Sequence, residues 1–262
     1  MSNEIHPIPA FSDNYIWAIQ QNQQCLVVDP GDAAPVLDYL KQNQLTLSGI
    51  LITHHHADHT GGLNSLLREF PSCPVYGPKG NHIKGISDHL DHGDTISPLP
   101  ELTLSVITVP GHTLDHIAFY GGDAFIGSPL LFCGDTLFAG GCGRIFEGDA
   151  GMMYTSLARL SELPAETLVY CAHEYTLANL RFAAKADPDN ADLSSRVRKE
   201  QQKREQNQPT LPSSIGIELR TNPFLRCHNT EVAKQVANHW NKDVASSPTD
   251  VFADLRRWKD NA

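Results

Sequence analysis

The sequence predicts an α/β domain of layered sheets flanked by helices, followed by a smaller helical domain. Three observations carry that expectation. Short apolar or alternating runs alternate with helical stretches as far as residue 173. Beyond it the periodic stretches are helical. Four of the strand-like runs lead into His or Asp, and strand ends are where open sheets flanked by helices place their sites.

The elements follow in order. Residues 15–20 and 24–28 read as strands around the polar turn Gln21-Asn22-Gln23. Residues 32–41 read as a helix, with Asp32 as N-cap and Pro35 in the first turn. Ile50-Leu51-Ile52 reads as a buried strand, and 63–70 as a helix opening after Gly61-Gly62. Further strands are expected at 75–77, 102–109, 117–120, 124–126, 130–133 and 167–171. Residues 152–163 read as a helix stopped by Pro164. After His173, residues 176–185, 193–206, 230–241 and 249–258 read as helices, the last opening after Pro248. Residues 207–214 read as a proline-punctuated loop. The expected division is a metal-bearing domain over 1–173 and a helical domain over 174–262.

The densest chemistry lies in Thr53-His54-His55-His56-Ala57-Asp58-His59-Thr60-Gly61-Gly62. Four imidazoles and a carboxylate crowd just past a strand end. Burying so many ligand groups beside an apolar core is costly unless a metal neutralises and bonds them. His54 and His56 are two apart and point to one side in extended chain; His55 points away. Asp58 and His59 come after the chain begins to turn, which suggests two neighbouring metal positions. His112 after Pro110-Gly111, Asp135 after Gly134 and His173 after Ala172 complete a set of seven. The set holds nitrogen and oxygen donors only, which suits zinc, iron or manganese. Cys133 and Cys171 each stand two residues before a ligand, so spacing alone leaves thiolate ligation open. Seven other groups already fill two sites, and core positions are expected for both thiols. His116 is expected to make a supporting hydrogen bond.

These residues resemble the metallo-β-lactamase superfamily, on Thr53 to Gly62, His112, Asp135 and His173. At finer grain the chain resembles the glyoxalase II (hydroxyacylglutathione hydrolase) family. That likeness rests on Asn14-Tyr15-Ile16-Trp17, Val28-Asp29-Pro30-Gly31, the segments beginning at Cys133, Gly141 and Cys171, and the basic cluster Arg256 to Lys259. The resemblance implies an αββα sandwich with a C-terminal helical domain. It puts His54, His56 and His112 on one metal and Asp58, His59 and His173 on the other, with Asp135 bridging. It implies hydrolysis of S-2-hydroxyacylglutathione, chiefly S-D-lactoylglutathione, by a hydroxide bridging two divalent ions, zinc foremost, in methylglyoxal detoxification. Asp58 and Asp135 are then the catalytic carboxylates, and Arg144, Tyr175, Arg256 and Lys259 contact glutathione. Phe146 stands where some relatives carry tyrosine, and Asp115 where many carry glycine. The nearest rival is a one-iron glutathione persulfide dioxygenase of the same superfamily, against which the full second set of ligands argues.

A thioester suits such a site, because its thiolate leaving group, of pKa near ~8.5, needs no strong general acid. Bulk composition agrees with a soluble enzyme: 262 residues, 40% hydrophobic and 19% charged. The net charge of −10 argues against nucleic acid as a partner. No apolar run reaches membrane-spanning length, and residues 1–6 show no secretory pattern. The six cysteines include no C-x-x-C pair, as expected of buried free thiols in the cytoplasm. Through His173 there are 6 Lys and Arg against 18 Asp and Glu; from Glu174 there are 14 against 12. An anionic small molecule could therefore react at the acidic half and be held by the basic one. A monomer is expected.

Overall fold

Residues 3–262 are described by this computed structural model; Met1 and Ser2, part of the stretch read for a secretory pattern, lie outside the described residues. The chain forms two units. One runs to Thr108 and takes in Asp115–Gly134; the other holds Val109–Leu114 and Asp135–Ala262.

In the first unit, β1 (Asn3–Ala10), β2 (Asn14–Gln21) and β3 (Gln24–Val28) form an antiparallel meander. β4 (Thr46–Leu51), β5 (Val75–Pro78) and β6 (Asp88–Leu90) add in parallel, in the order β1-β2-β3-β4-β5-β6. Parallel neighbours need crossovers. α1 (Ala33–Asn43) joins β3 to β4, and α2 (Ala57–Thr60) and α3 (Leu63–Glu69) lie between β4 and β5. Asp32 caps α1 as the sequence predicts, accepting from the Ala34 amide at 3.0 Å. α1 and α3 bury Val36, Leu40, Leu63 and Leu66 in one cluster with Val27, Ile50, Ile52 and Val75. Each such side chain contributes about 1.5–3 kcal/mol through burial. β7 (Thr95–Leu99), β8 (Leu102–Thr108), β9 (Ile117–Gly121) and β10 (Leu130–Gly134) form an antiparallel run. β10 is buried at every position, as its apolar sequence demands.

Two departures from the sequence reading are instructive. β1 is absent from it because Pro7 and Pro9 cannot donate to a ladder. They are tolerated because β1 is an edge strand. Residues 124–126, expected as a strand, are a turn between β9 and β10. The Gly127 amide donates to the Asp123 carbonyl at 2.8 Å and Gly127 takes φ +76°. The glycine punctuation there outweighs the apolar pair Phe125-Ile126, of which Phe125 is still buried.

The second unit contains β11 (Leu137–Phe138) and β12 (Gly141–Cys142), a two-strand hairpin, and α4 (Ala150–Ser161), capped by Asp149. β13 (Leu168–Cys171) pairs with β14 (Ser213–Ser214). The four expected helices are present as α5 (Thr176–Ala186), α6 (Ala191–Glu205), α8 (Thr230–Trp240) and α9 (Pro248–Asp260). α7 (Ile215–Thr221) and a 3-10 turn at Pro223–Leu225 were not foreseen, being too short to show a period. Asn190, Ser214, Asn229 and Ser247 cap the helices after α5. Phe224 packs on Phe252 at 5.6 Å between ring centroids, and Phe182 on Trp258 at 5.3 Å. No helix among the described residues is long and apolar enough to cross a membrane.

Candidate metal centre

Four of the seven predicted ligands lie in the first unit. β4 ends at Leu51, the chain bends at His54 and is extended again at His56, and α2 then turns it back. The His54 ring lies 4.8 Å from that of His56 and 4.1 Å from that of His59. Asp58 Oδ2 stands 3.5 Å from His59 Nε2. His54 and His59 are buried, whereas His56 and Asp58 are partly exposed.

Asp29 organises this group, and the sequence reading gave it no role. It sits just past β3 in the left-handed region, at φ +53°, which Asp tolerates better than most residues. Its carboxylate accepts from the Thr53 amide at 2.7 Å, the Thr53 hydroxyl at 2.7 Å and His59 Nδ1 at 3.0 Å. The Thr53 hydroxyl, its proton committed to Asp29, accepts in turn from His54 Nδ1 at 3.0 Å. Both imidazoles therefore carry their proton on Nδ1 and present Nε2 as a lone pair. Asn14 donates to Asp58 Oδ2 at 3.1 Å. Gly31 permits the tight approach: a Cβ there would lie 1.8 Å from the Asp58 carbonyl oxygen. The signal available in sequence was Asp-Pro-Gly at a strand end, which marks a turn without naming its partner.

His55 turns away, as alternation predicts. Its Nδ1 pairs with Asp115 Oδ1 at 2.9 Å, and its ring stacks on His82 at 5.2 Å. Asp115, unexplained by sequence, is thus the partner of His55. His116 donates from Nδ1 to the Ile117 carbonyl at 3.0 Å and stacks on His54 at 4.5 Å.

The second unit holds His112, Asp135 and His173. Asp135 divides its oxygens: Oδ2 lies 3.5 Å from His112 Nε2 and Oδ1 lies 3.3 Å from His173 Nε2. His112 Nδ1 donates to the Arg144 carbonyl at 2.7 Å. A carbonyl only accepts, so this ring too presents a lone pair at Nε2. The ring of His173 stacks on Tyr175 at 4.6 Å with 6° between planes. Phe146 meets the His112 ring edge-on at 5.3 Å and is 61% exposed. Cys171 is a buried thiol, its pKa pushed up to about 12 by burial. Cys133 is buried as well, so both occupy the core positions expected of them.

The four predicted substrate contacts differ among themselves. Arg144 is exposed, with Nε 3.4 Å from Asp260. Tyr175 is 37% exposed. Arg256 is only 6% exposed; its Nη1 donates to the Cys142 carbonyl at 3.0 Å and its Nη2 to Asp260 at 3.0 Å. Lys259 bonds to Asn179 Oδ1 and lies over the rings of Phe182 and Phe224, at 5.9 and 5.7 Å. Burial, then the charge of Arg256, lowers its pKa to about 8.

The donor set fits a divalent metal. Three imidazoles are fixed through Nδ1 by an oxygen, the usual arrangement of metal-binding histidines. Carboxylates and imidazoles without thiolate suit zinc, iron or manganese.

Comparison with known proteins gives matches over nearly the whole chain. The model described as the metallo-beta-lactamase superfamily matches residues 11–173, and that described as the hydroxyacylglutathione hydrolase C-terminus matches 174–262. A hydroxyacylglutathione hydrolase of Nitrosomonas eutropha is 52% identical over 260 residues, covering 98% of each chain. One of Hahella chejuensis is 51% identical over 258 residues, also covering 98% of each. Among solved structures, ETHE1 from Myxococcus xanthus aligns with TM-score 0.66 and 26% identity, over 98% of this chain and 90% of its own. TTHA1623, solved in a di-iron-bound form, aligns with TM-score 0.59 and 24% identity, over 84% of this chain and 100% of its own. The fold is therefore the metallo-β-lactamase fold with a C-terminal helical region.

Proposed function

Because the chain belongs to the hydroxyacylglutathione hydrolase family of the metallo-β-lactamase superfamily, we propose that it hydrolyses S-2-hydroxyacylglutathione thioesters, chiefly S-D-lactoylglutathione, to glutathione and a 2-hydroxy acid. The observation that carries this reading is the 52% identity, over 98% of both chains, to a protein of that name. Three imidazoles held through Nδ1 by an oxygen and a carboxylate facing two of the histidines support it.

In this reading His54, His56 and His112 hold one divalent ion, Asp58, His59 and His173 a second, and Asp135 serves both. When bound there, divalent ions would act as Lewis acids, activating water near neutral pH and polarising the thioester carbonyl. Zinc is the first choice. The chain's own part is to keep each Nε2 unprotonated, through Asp29, Thr53 and the Arg144 carbonyl. The leaving thiolate departs without a proton donor. Residues 1–173 form the metal-bearing domain and 174–262 the substrate-binding one. Arg144, Arg256 and Lys259 offer charge-assisted hydrogen bonds to the glutathione carboxylates, and Tyr175 offers a ring beside His173. The proposed setting is the cytoplasm, with the chain a monomer without nucleic-acid or membrane partners; the free cysteines suit a reducing compartment, and the net charge of −10 disfavours nucleic acid.

The test is kcat/KM of the purified, metal-analysed protein on S-D-lactoylglutathione, beside a lactoyl thioester of a small neutral thiol. Fast turnover of the first and poor turnover of the second is expected. Equal rates would remove the glutathione site, and no turnover with two metals bound would remove the hydrolase.

A further inference from the structure

The turn between Asp135 and Arg144 is too small to hold itself. β11 and β12 contribute two residues each, far short of a self-supporting ladder. Its backbone is bonded instead by side chains from the helical part of the second unit. Asn222 Nδ2 donates to the Phe138 carbonyl at 3.2 Å and the Gly141 carbonyl at 2.9 Å. Asn179 Nδ2 donates to the Ala139 carbonyl at 3.1 Å. Glu218 Oε2 accepts from the Gly140 amide at 2.8 Å. Arg256 takes the Cys142 carbonyl. Every residue from 138 to 142 thus gives a backbone group to a side chain beyond residue 178.

Glu218 is the centre of this clamp. It is fully buried on α7. One oxygen accepts from Arg196 at 2.6 Å and from Ser213; the other accepts from Gly140 and, at 3.0 Å, from Asn222. Arg196 is tied further to Thr221 at 2.6 Å and Ser213 at 3.0 Å. Four donors fill the carboxylate's lone pairs, so it faces no ligand; its work is support.

What it supports touches the proposed centre. The Gly143 amide donates to the Thr136 carbonyl at 3.2 Å, closing the turn on itself. A Cβ on Gly143 would lie 1.9 Å from the Asp135 carbonyl oxygen, so the two ends of the turn are in contact. The next residue, Arg144, supplies the carbonyl that fixes His112. Displacing the turn would therefore move Asp135 and the acceptor of His112 together.

We infer that Glu218 and Asn222 are positioning residues for the metal centre: they clamp the 138–143 turn and so fix Asp135 and the orientation of His112. The inference rests on the reading of Asp135 and His112 as ligands.

Asn222→Ser in the full chain is the first variant. It keeps an oxygen for the Phe224 amide, which Asn222 caps at 3.1 Å, and loses the donors to the turn. Glu218→Gln, which keeps an acceptor for Gly140, is the second. Two readouts are taken, neither needing a thioester. One is amide hydrogen exchange over 136–144 in chelator-treated protein; the other is the zinc dissociation constant by chelator competition. For Asn222→Ser we expect faster exchange confined to the turn, unchanged exchange in α8 and α9, and zinc binding weakened about 10–100-fold. Wild-type exchange and wild-type zinc affinity in a folded Asn222→Ser protein would overturn the inference, whatever Glu218→Gln does. A wild-type chain that binds zinc but leaves S-D-lactoylglutathione intact would overturn the proposed activity and leave this inference standing.

Discussion

The two groups of proposed ligands are built on opposite plans. In the first unit, His54, His56, Asp58 and His59 come from six consecutive residues, and two of the imidazoles answer to one carboxylate, Asp29. In the second, His112, Asp135 and His173 come from three separate segments, and His112 is fixed by a backbone carbonyl. That carbonyl lies on a turn which remote side chains must hold in place. A contiguous ligand cluster needs one good buttress, whereas a dispersed one needs a scaffold. The difference can be broken from either side.

Asp135→Asn should have the largest effect. Its two oxygens face two different histidines, so neutralising it removes charge from both. Activity should fall by more than about 100-fold, beyond the 10–100-fold usual for groups one step removed from a metal. Metal content should fall with it, and unchanged occupancy and rate would sink the shared-ligand assignment.

Asp29→Asn tests the other plan. The left-handed backbone at residue 29 suits Asn, so folding should survive. The amide can give His59 Nδ1 a hydrogen, which would move the ring proton to Nε2 and spoil that nitrogen as a ligand. A drop of about 10–100-fold in metal affinity is expected. If affinity holds, the dispersed group alone governs binding and the contrast drawn above collapses.

That contrast also explains what was legible in the sequence. The seven ligand candidates could be read because His or Asp follows each of four strand-like runs. His54 and His56 needed only alternation. The expected strands and helices likewise came from local pattern, since burial on one face leaves a period. What stayed hidden was non-local. Asp29 reaches Thr53 and His59 across 24 and 30 residues, and Glu218 reaches Gly140 across 78. A lone buried Asp or Glu leaves no period. β1 was hidden differently: its prolines argue against a strand unless the strand is known to lie at an edge.

Arg256→Ala should have a smaller effect, and of mixed kind. A pure substrate contact would raise KM and leave kcat alone. Here the guanidinium also donates to the Cys142 carbonyl, at the mouth of the turn that carries Arg144. A KM rise of about tenfold, or ~1.4 kcal/mol, with a severalfold fall in kcat is expected. Arg256→Lys should recover part of KM, because it restores charge without the planar fork. A KM effect alone, fully rescued by lysine and abolished by high salt, would return Arg256 to substrate binding and take it out of the scaffold.

The mildest test needs only a pH series. Burial and the neighbouring Arg256 lower the Lys259 pKa to about 8, so the free enzyme holds this cation below that pH and loses it above. Binding an anionic substrate favours the charged form. KM for S-D-lactoylglutathione should therefore be lowest below pH 8 and climb as pH rises through it, while kcat follows the metal centre. Lys259→Arg carries a charge that does not titrate in this range, and its KM should stay flat from pH 7 to about 9.5. Parallel profiles for wild type and Lys259→Arg would mean that Lys259 does not meet the substrate. Its bond to Asn179, which itself holds the Ala139 carbonyl, would then make it one more strut of the turn. In that case Arg256 and Lys259 of α9 would both serve to hold the proposed ligands rather than the substrate.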